Sequence, residues 1–292
     1  MKILITGAGG LLGRECAAVL ARRHKVIALT SRELDITDPD RVAEAVAALA
    51  PDAVLNGAAF TDVDACESQR ERAFRVNALG PGHLARALAR HRGRLVHIST
   101  DYVFDGAKAP PEAYVEEDPP NPLSWYARTK LAGEQAVQEA LEDYAIVRTA
   151  WLYGLQGKGF LQLLLDLTLR RKLPEIRVVQ DQFGTPTWAH RLAEQLERVL
   201  EAEEARGIFH ATAEDWCSRY DWAVFFLKQM GLNCRVVPCA SVEFPTPAVR
   251  PRSTILENRR LKELGLNIMR PWQEDLQEFV AQCRDELVPR FF

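Results

Sequence analysis

The segment that most constrains the fold is "KILITGAGGLLGRE", at the very start of the chain. A short apolar run meets a glycine cluster, with glycines at 7, 9, 10 and 13, and then an amphipathic stretch. A buried strand that turns sharply into a helix needs positive φ, which glycine supplies at little steric cost. The missing side chains also let backbone N–H groups approach a pyrophosphate at the positive end of the following helix. A glycine cluster alone is equally a plain flexible turn. Its place between a strand and a helix selects the dinucleotide-binding reading.

The rest of the first half agrees. "KILIT" (2–6), "KVIAL" (25–29), "AVLNGA" (53–58), "RLVHIST" (94–100) and "YAIVRT" (144–149) are nearly continuous apolar runs. Such runs suit strands buried on both faces of a parallel sheet. Helix-length segments at 11–23, 38–50, 68–92 and 124–141 separate them. This alternation predicts an α/β chain, a Rossmann-type doubly wound parallel sheet with a smaller mixed α/β lobe. Residues 1–150 are expected to form the dinucleotide-binding domain and 151–292 mainly the substrate lobe. Helices at 159–171 and 188–204, with "GIFHAT" as a strand, suggest that part of 175–215 returns to the sheet.

Composition narrows the class of protein. A net charge of -3 and a pI near 6.1 argue against a nucleic-acid partner. No apolar run approaches the roughly 20 residues of a membrane span. The first residues carry no signal-peptide cleavage region, and the six scattered cysteines lack a C-x-x-C pair. Reduced thiols, no structural metal and a cytoplasmic location are the expectation.

Further candidate residues cluster at strand ends, where ligands bind in open α/β sheets. At the end of the second run stand Thr30, Ser31 and Arg32, with the first acid at Glu33. Sites selective for NAD place an acid near this point. Arg32 could instead pair with a 2′-phosphate, with Ser31 hydrogen-bonding it, which favours NADPH over NADH. The alternative is a solvated loop arginine. "NGAAFTDVD" (56–64) ends the third run in small residues, including Ala58 and Ala59, that permit close cofactor approach. "HISTDYVFDG" ends the fourth with Ser99 and Thr100. Tyr126 and Lys130 then share one face of the next helix. A phenol ordinarily titrates near 10, and an ammonium beside it favours the phenolate. Thr100, Tyr126 and Lys130 together suit ketone reduction, with hydride from nicotinamide and a proton from Tyr126.

These residues resemble the extended short-chain dehydrogenase/reductases, and more narrowly their dTDP-4-dehydrorhamnose reductase branch. The resemblance spans essentially the whole chain. It is carried by "GAGGLLGRE", "LDITD", "AAFTDVDACE", "STDYVFDG", "YARTKLAGE", "RTAWLYG", "DQFGTPT" and "PTPAVRP". It implies NAD(P)H-dependent reduction of the carbon-4 ketone of a dTDP-sugar, dTDP-4-dehydro-β-L-rhamnose. Thr100 takes the hydroxyl position, Tyr126 the general acid and Lys130 the residue that tunes Tyr126 and holds the nicotinamide ribose. Gly10, Leu11 and Leu12 fall on the cofactor loop, and Thr30, Asp35 and Ile36 at the adenosine end. Ala59, Phe60 and Thr61 line the next strand end, while Asp101 and Trp151 match sugar-nucleotide contacts.

A flat apolar ring at 151 suits a deoxysugar face; packing between lobes is its other reading. The family also implies a Mg2+ site between subunits. Glu15 matches one ligand, but His190 stands where a second acid is expected, so that site is expected to be absent or altered. A homodimer stays open. In "TPAVRPRST", Arg250 and Arg252 suit a diphosphate, or else a salt-bridged loop. Asp181 and Gln182 of "DQFGTPT" are expected to structure a turn facing the cleft. Two rivals share the fold. A regulatory subunit without catalysis would not need all of Thr100, Tyr126 and Lys130. A nucleotide-sugar epimerase or dehydratase would use the same Tyr and Lys, and a dehydratase would add an acidic pair beside the hydroxyl, where this chain has Asp101 and then Tyr102.

Overall fold

The computed structural model describes residues 1–157 and 159–291. Strands β1 (Lys2–Thr6), β2 (Lys25–Leu29), β3 (Ala53–Asn56), β4 (Arg94–Thr100) and β5 (Tyr144–Thr149) form a parallel sheet, joined by the strand Gly207–His210. From one edge the order runs Gly207–His210, β5, β4, β3, β1, β2. The chain therefore leaves β1 toward β2 and then crosses to pair β3 on the other side of β1. Such a reversal opens a crevice beyond the carboxyl ends of the strands.

The pleat sends alternate side chains to opposite faces. Ile3 and Ile5 enter one core with Leu12 and Val19 of helix α1 (Leu11–Leu20) and Leu192 and Leu196 of helix Ala189–Glu201. Leu4 enters the opposite core with Val42 and Val46 of helix α2 (Pro39–Leu49) and Leu84 and Leu88 of helix Gly80–Ala89. Each fully buried aliphatic side chain contributes about 1.5–3 kcal/mol. Two covered faces explain why the inner strands read as unbroken apolar runs. The edge strand β2 is instead partly exposed.

A third core joins helices Phe160–Leu165, Arg219–Gln229 and Trp272–Leu287 around Tyr153, Trp222, Phe226 and Phe279. The parallel pair Glu175–Val179 and Arg235–Cys239 packs on it through Ile176 and Val178.

Several expected boundaries are corrected. The segment 68–92 is not one helix but Val63–Ser68, Arg70–Phe74, a wider-wound turn Arg75–Leu79, and Gly80–Ala89. Pro81 has no N–H to return to the carbonyl of Asn77, so the regular ladder breaks there. That carbonyl packs against Gly133, where a β-carbon would stand only 2.1 Å away. The segment 159–171 likewise changes from α-helix to a wider turn at Asp166–Arg170. Strand β3 stops at Asn56, two residues short of expectation, because Asn56 Oδ1 accepts the Ala58 N–H (3.1 Å) and turns the chain away.

Candidate active site

The glycine turn divides its labour. Gly7 has φ +71°, and a β-carbon there would stand 2.5 Å from the Ala58 nitrogen. A β-carbon at 13 would stand 2.3 Å from the Gly7 carbonyl oxygen. Both glycines are thus required by backbone crossing backbone. Gly10 donates its N–H to Gly7 O (3.0 Å) and precedes α1 without any side-chain cap. The first-turn N–H groups of α1 consequently stay free for an anion. Gly10, Leu11, Leu12 and Gly13 line a cleft of about 530 Å3.

Opposite the turn, Asn56 links the neighbouring strands β1, β3 and β4. It accepts from Thr6 Oγ1 (2.7 Å) and donates to His97 Nδ1 (3.0 Å). Ala59 and Thr61 line the cleft just beyond. Ala58 sets the close approach at Gly7, and Phe60 is fixed by the buried side chain of Asn77. Asn77 accepts the Phe60 N–H (2.8 Å) and donates to its carbonyl (3.1 Å) and to Thr129 Oγ1 (3.2 Å). One amide thereby pins the "AAFT" segment to the helix that carries Tyr126.

Farther along, Glu33 accepts both the N–H and the hydroxyl of Thr30, 2.8 Å each. Those two bonds hold its carboxyl below the usual range. Ser31 and Arg32 are exposed at this turn. Asp35 caps the Thr37 N–H (2.9 Å), and Ile36 is buried beneath Gly80. None of Thr30, Ser31, Arg32, Asp35 or Ile36 is among the walls of the cleft itself.

Helix Trp125–Ala140 starts at Ser124, whose hydroxyl accepts the Ala127 N–H (3.3 Å). Tyr126 and Lys130, one turn apart, both face the cleft beside Thr100 and Asp101 at the end of β4. Lys130 donates to the Ile98 carbonyl (2.7 Å). Burial lowers its pKa to about 8, with Glu134 one turn on pulling the other way. Glu134 takes a bidentate pair from buried Arg148 (3.0 and 2.7 Å) and a hydrogen bond from Ser99 (2.5 Å).

The Tyr126 phenol is pushed above its ordinary value by burial, which the Thr100 hydroxyl counters and Asp101 reinforces. The sequence-based expectation was that Lys130 lowers this value. Here the leading influences on the phenol are burial, Thr100 and Asp101, while the Lys130 ammonium donates to the Ile98 carbonyl. A raised phenol is protonated at neutral pH, which is the state a proton donor needs.

Asp101 is buried and rises to about 6, chiefly from desolvation, while the hydroxyls of Thr254 and Thr100 pull it down. Thr254 Oγ1 bonds Asp101 Oδ2 and so ties the "RPRST" segment to the end of β4.

Trp151 forms the opposite wall. It has φ +43°, a left-handed conformation that costs a non-glycine residue about 1–3 kcal/mol. Its indole stacks on Trp222 (ring centres 5.7 Å apart, 21° between planes). It also lies against Gly184, where a β-carbon would meet indole Cε2 at 2.6 Å. That contact explains the glycine of "DQFGTPT". The Arg219 guanidinium lies over the Trp151 ring, 3.5 Å from its centre and 5.5 Å from that of Trp222.

Arg219 and Lys130 are the cations among the described cleft walls. Sequence reading passed over Arg219, as it did Asn77 and Glu134. Arg219 follows the capping residue Ser218, and nothing in "SRYD" separates it from a surface arginine. Asn77 and Glu134 carry no motif of their own.

Arg250 lies outside the cleft walls, paired to both oxygens of Asp64 (3.1 and 2.8 Å). Arg252 is exposed. Asp181 accepts from the Ser241 N–H and hydroxyl, and the Gln182 carbonyl accepts the Arg219 N–H, so both residues structure the turn. His190 Nδ1 stands 3.1 Å from Glu15, which raises the imidazole above its ordinary value.

Comparison with known proteins agrees with this geometry. Residues 1–285 match the family model of the RmlD substrate binding domain. A dTDP-4-dehydrorhamnose reductase from Mycolicibacterium smegmatis is 44% identical over 286 residues, covering 96% of this chain and 85% of the relative. The crystal structure of a dTDP-4-dehydrorhamnose reductase from Clostridium acetobutylicum superposes with a TM-score of 0.93 at 41% identity, covering 97% and 100% of the two chains. That of a dTDP-4-dehydrorhamnose reductase from Bacillus anthracis in complex with NADP superposes at 0.92 and 33% identity, covering 96% and 99%. With its glycine turn, its Tyr126–Lys130 helix and this likeness over nearly the whole length, the chain belongs to the RmlD family, that of the dTDP-4-dehydrorhamnose reductases.

Proposed function

We propose that this chain is an NAD(P)H-dependent oxidoreductase that reduces the carbon-4 ketone of dTDP-4-dehydro-β-L-rhamnose to dTDP-β-L-rhamnose. The observation that carries the reading is the meeting of Thr100, Tyr126 and Lys130 in one cleft with the uncapped start of α1. Bound NAD(P)H supplies the hydride. The cradle fits its diphosphate, since side chains at 7 and 13 would block the turn and the first-turn N–H groups are free.

Tyr126, protonated at neutral pH, donates its phenolic proton to the carbonyl oxygen as negative charge builds there. Thr100 presents its hydroxyl to the same oxygen. Lys130 remains mostly an ammonium at pH 7 and holds the nicotinamide ribose. Trp151 offers its ring to the sugar, and Arg219 and Asp101 hold the polar parts of the sugar nucleotide. Arg250 supports the site through Asp64, in place of direct diphosphate contact. A purely regulatory subunit would have no use for this proton-donating set.

Exposed Arg32 and Ser31 favour NADPH, in keeping with the NADP-bound relative. Glu15 is matched with an imidazole, whereas Mg2+ prefers oxygen ligands, so we read that pair as an ion pair within the chain. Residues 1–150 act as the cofactor domain and 151–292 mainly as the substrate lobe. A cytoplasmic location suits the six free cysteines.

The test is NADPH consumption with dTDP-4-dehydro-β-L-rhamnose by the wild type and Tyr126→Phe. The expected result is turnover by the wild type and a loss of about 10^2–10^4 in kcat in the variant. No turnover by the wild type, or a full rate in the variant, overturns the reading.

A further inference from the structure

At the opposite end of the strands from the cleft, the turn after α1 brings His24, just before β2, against helix Ala189–Glu201. His24 Nε2 stands 3.5 Å from Glu197 Oε1 and 3.3 Å from Glu201 Oε1. The two glutamates are one turn apart and so share a face of that helix. The His24 side chain is only 6% exposed, yet neither ring nitrogen has a hydrogen-bond partner, nor does Glu197 Oε1. A buried imidazole without a partner is costly, and here it faces two carboxylates without hydrogen-bonding either.

We propose that His24, Glu197 and Glu201 form a binding site for a divalent transition-metal ion, zinc first among them. A tetrahedral ion with bonds of about 2.0–2.1 Å sets neighbouring ligand atoms about 3.3–3.4 Å apart. The two imidazole–carboxylate distances already match that edge. All three ligand atoms lie within 4.8 Å of one another, and rotation of the partly exposed Glu201 closes what remains.

An imidazole with two carboxylates suits zinc better than the all-oxygen shells of magnesium or calcium. Two carboxylate charges balance a divalent ion, and solvent fills the fourth position on the exposed Glu201 side. The site also lies in the last turn of helix Ala189–Glu201, where the helix dipole favours a cation. Arg23 now reaches both carboxylates, at 3.9 Å to Glu197 and 3.2 Å to Glu201, from a side chain 60% exposed. It can swing into solvent when the ion binds. The bound ion clamps the turn after α1 to the helix on which α1 packs. It therefore stabilises the folded chain, which brings these ligands together, over the unfolded one.

The experiment is calorimetric titration of the chelator-treated full chain with ZnCl2, alongside thermal unfolding with and without the ion. The wild type is expected to take up one ion per chain and to unfold several degrees higher when saturated. Glu201→Gln, a mild change at an exposed position, is expected to bind at least tenfold more weakly, and His24→Ala to lose binding. His190→Ala, which removes the other histidine paired with glutamates, is expected to bind as the wild type does. No saturable binding by the wild type overturns the proposal. So does undiminished affinity in Glu201→Gln, or loss of binding in His190→Ala instead.

Discussion

Arg219 Cζ lies 3.5 Å above the centre of the Trp151 indole, joining two segments 68 positions apart on the wall of one cleft. Such stacking contributes about 2 kcal/mol when desolvated and fixes the fork for a phosphate or a sugar hydroxyl. Arg219→Ala is therefore expected to raise KM for the sugar nucleotide by about tenfold to a hundredfold, the equivalent of 1.4–2.7 kcal/mol. KM for NADPH should stay within twofold. Arg219→Lys should restore little, since a lysine neither stacks flat nor forks. Steady-state kinetics with each substrate varied in turn checks this; an unchanged sugar-nucleotide KM removes Arg219 from the substrate site.

Lys130 links activity and stability to pH with opposite slopes. Its pKa falls from 10.5 to about 8 because burial disfavours the ammonium. If the ammonium is required, kcat/KM falls as pH rises through about 8, roughly tenfold per unit beyond it. For stability, the folded value lies below the unfolded one. The cost of burying the charge, roughly 3 kcal/mol, is full below pH 8 and disappears as pH rises toward 10.5. Lys130→Met should lose both the alkaline fall in rate and this gain in stability. Rate profiles and denaturant midpoints between pH 6 and 10 read the two effects.

Arg32 is an exposed guanidinium at the carboxyl end of β2. If it pairs with the 2′-phosphate, Arg32→Ala raises KM for NADPH about tenfold and leaves KM for NADH nearly unchanged. The ratio of the two KM values is the measurement, and an unaltered ratio rules out that role.

Glu134 and Arg148 form a buried pair, 1% and 2% exposed, directly behind Lys130. Glu134→Gln leaves the Arg148 charge uncompensated, at a cost of about 3–5 kcal/mol. It also removes the carboxylate that holds the Lys130 pKa up. The variant should unfold earlier, and the alkaline fall in its rate should move to a pH below that of the wild type. A lower melting temperature with an unmoved pH profile would make the pair purely structural.

Much of the fold was legible because it rests on local regularities. Continuous apolar runs announced strands covered on both faces, and Ile3, Leu4 and Ile5 alternate between two cores as that covering requires. Where local signals compete, reading failed. The stretch 68–92 looked like one helix, but Pro81 withholds an N–H from the Asn77 carbonyl and the ladder widens at Arg75–Leu79, while a separate break at Gln69 sets off Val63–Ser68. Strand β3 looked longer than it is because no local pattern reveals that the Asn56 side chain captures the Ala58 N–H.

By itself, the sequence determined the doubly wound sheet, the glycine turn and the shared face of Tyr126 and Lys130, since spacing of 2.0 or 3.6 residues per repeat is written along the chain. Only the tertiary structure decided that Arg219 covers Trp151, that Arg250 turns to Asp64 and that Asn77 pins Phe60. It also decided that Lys130 bonds Ile98 while burial, with Asp101, sets the Tyr126 phenol. Those relationships depend on desolvation and on contacts between residues far apart in the chain. Neither quantity exists until the chain has folded.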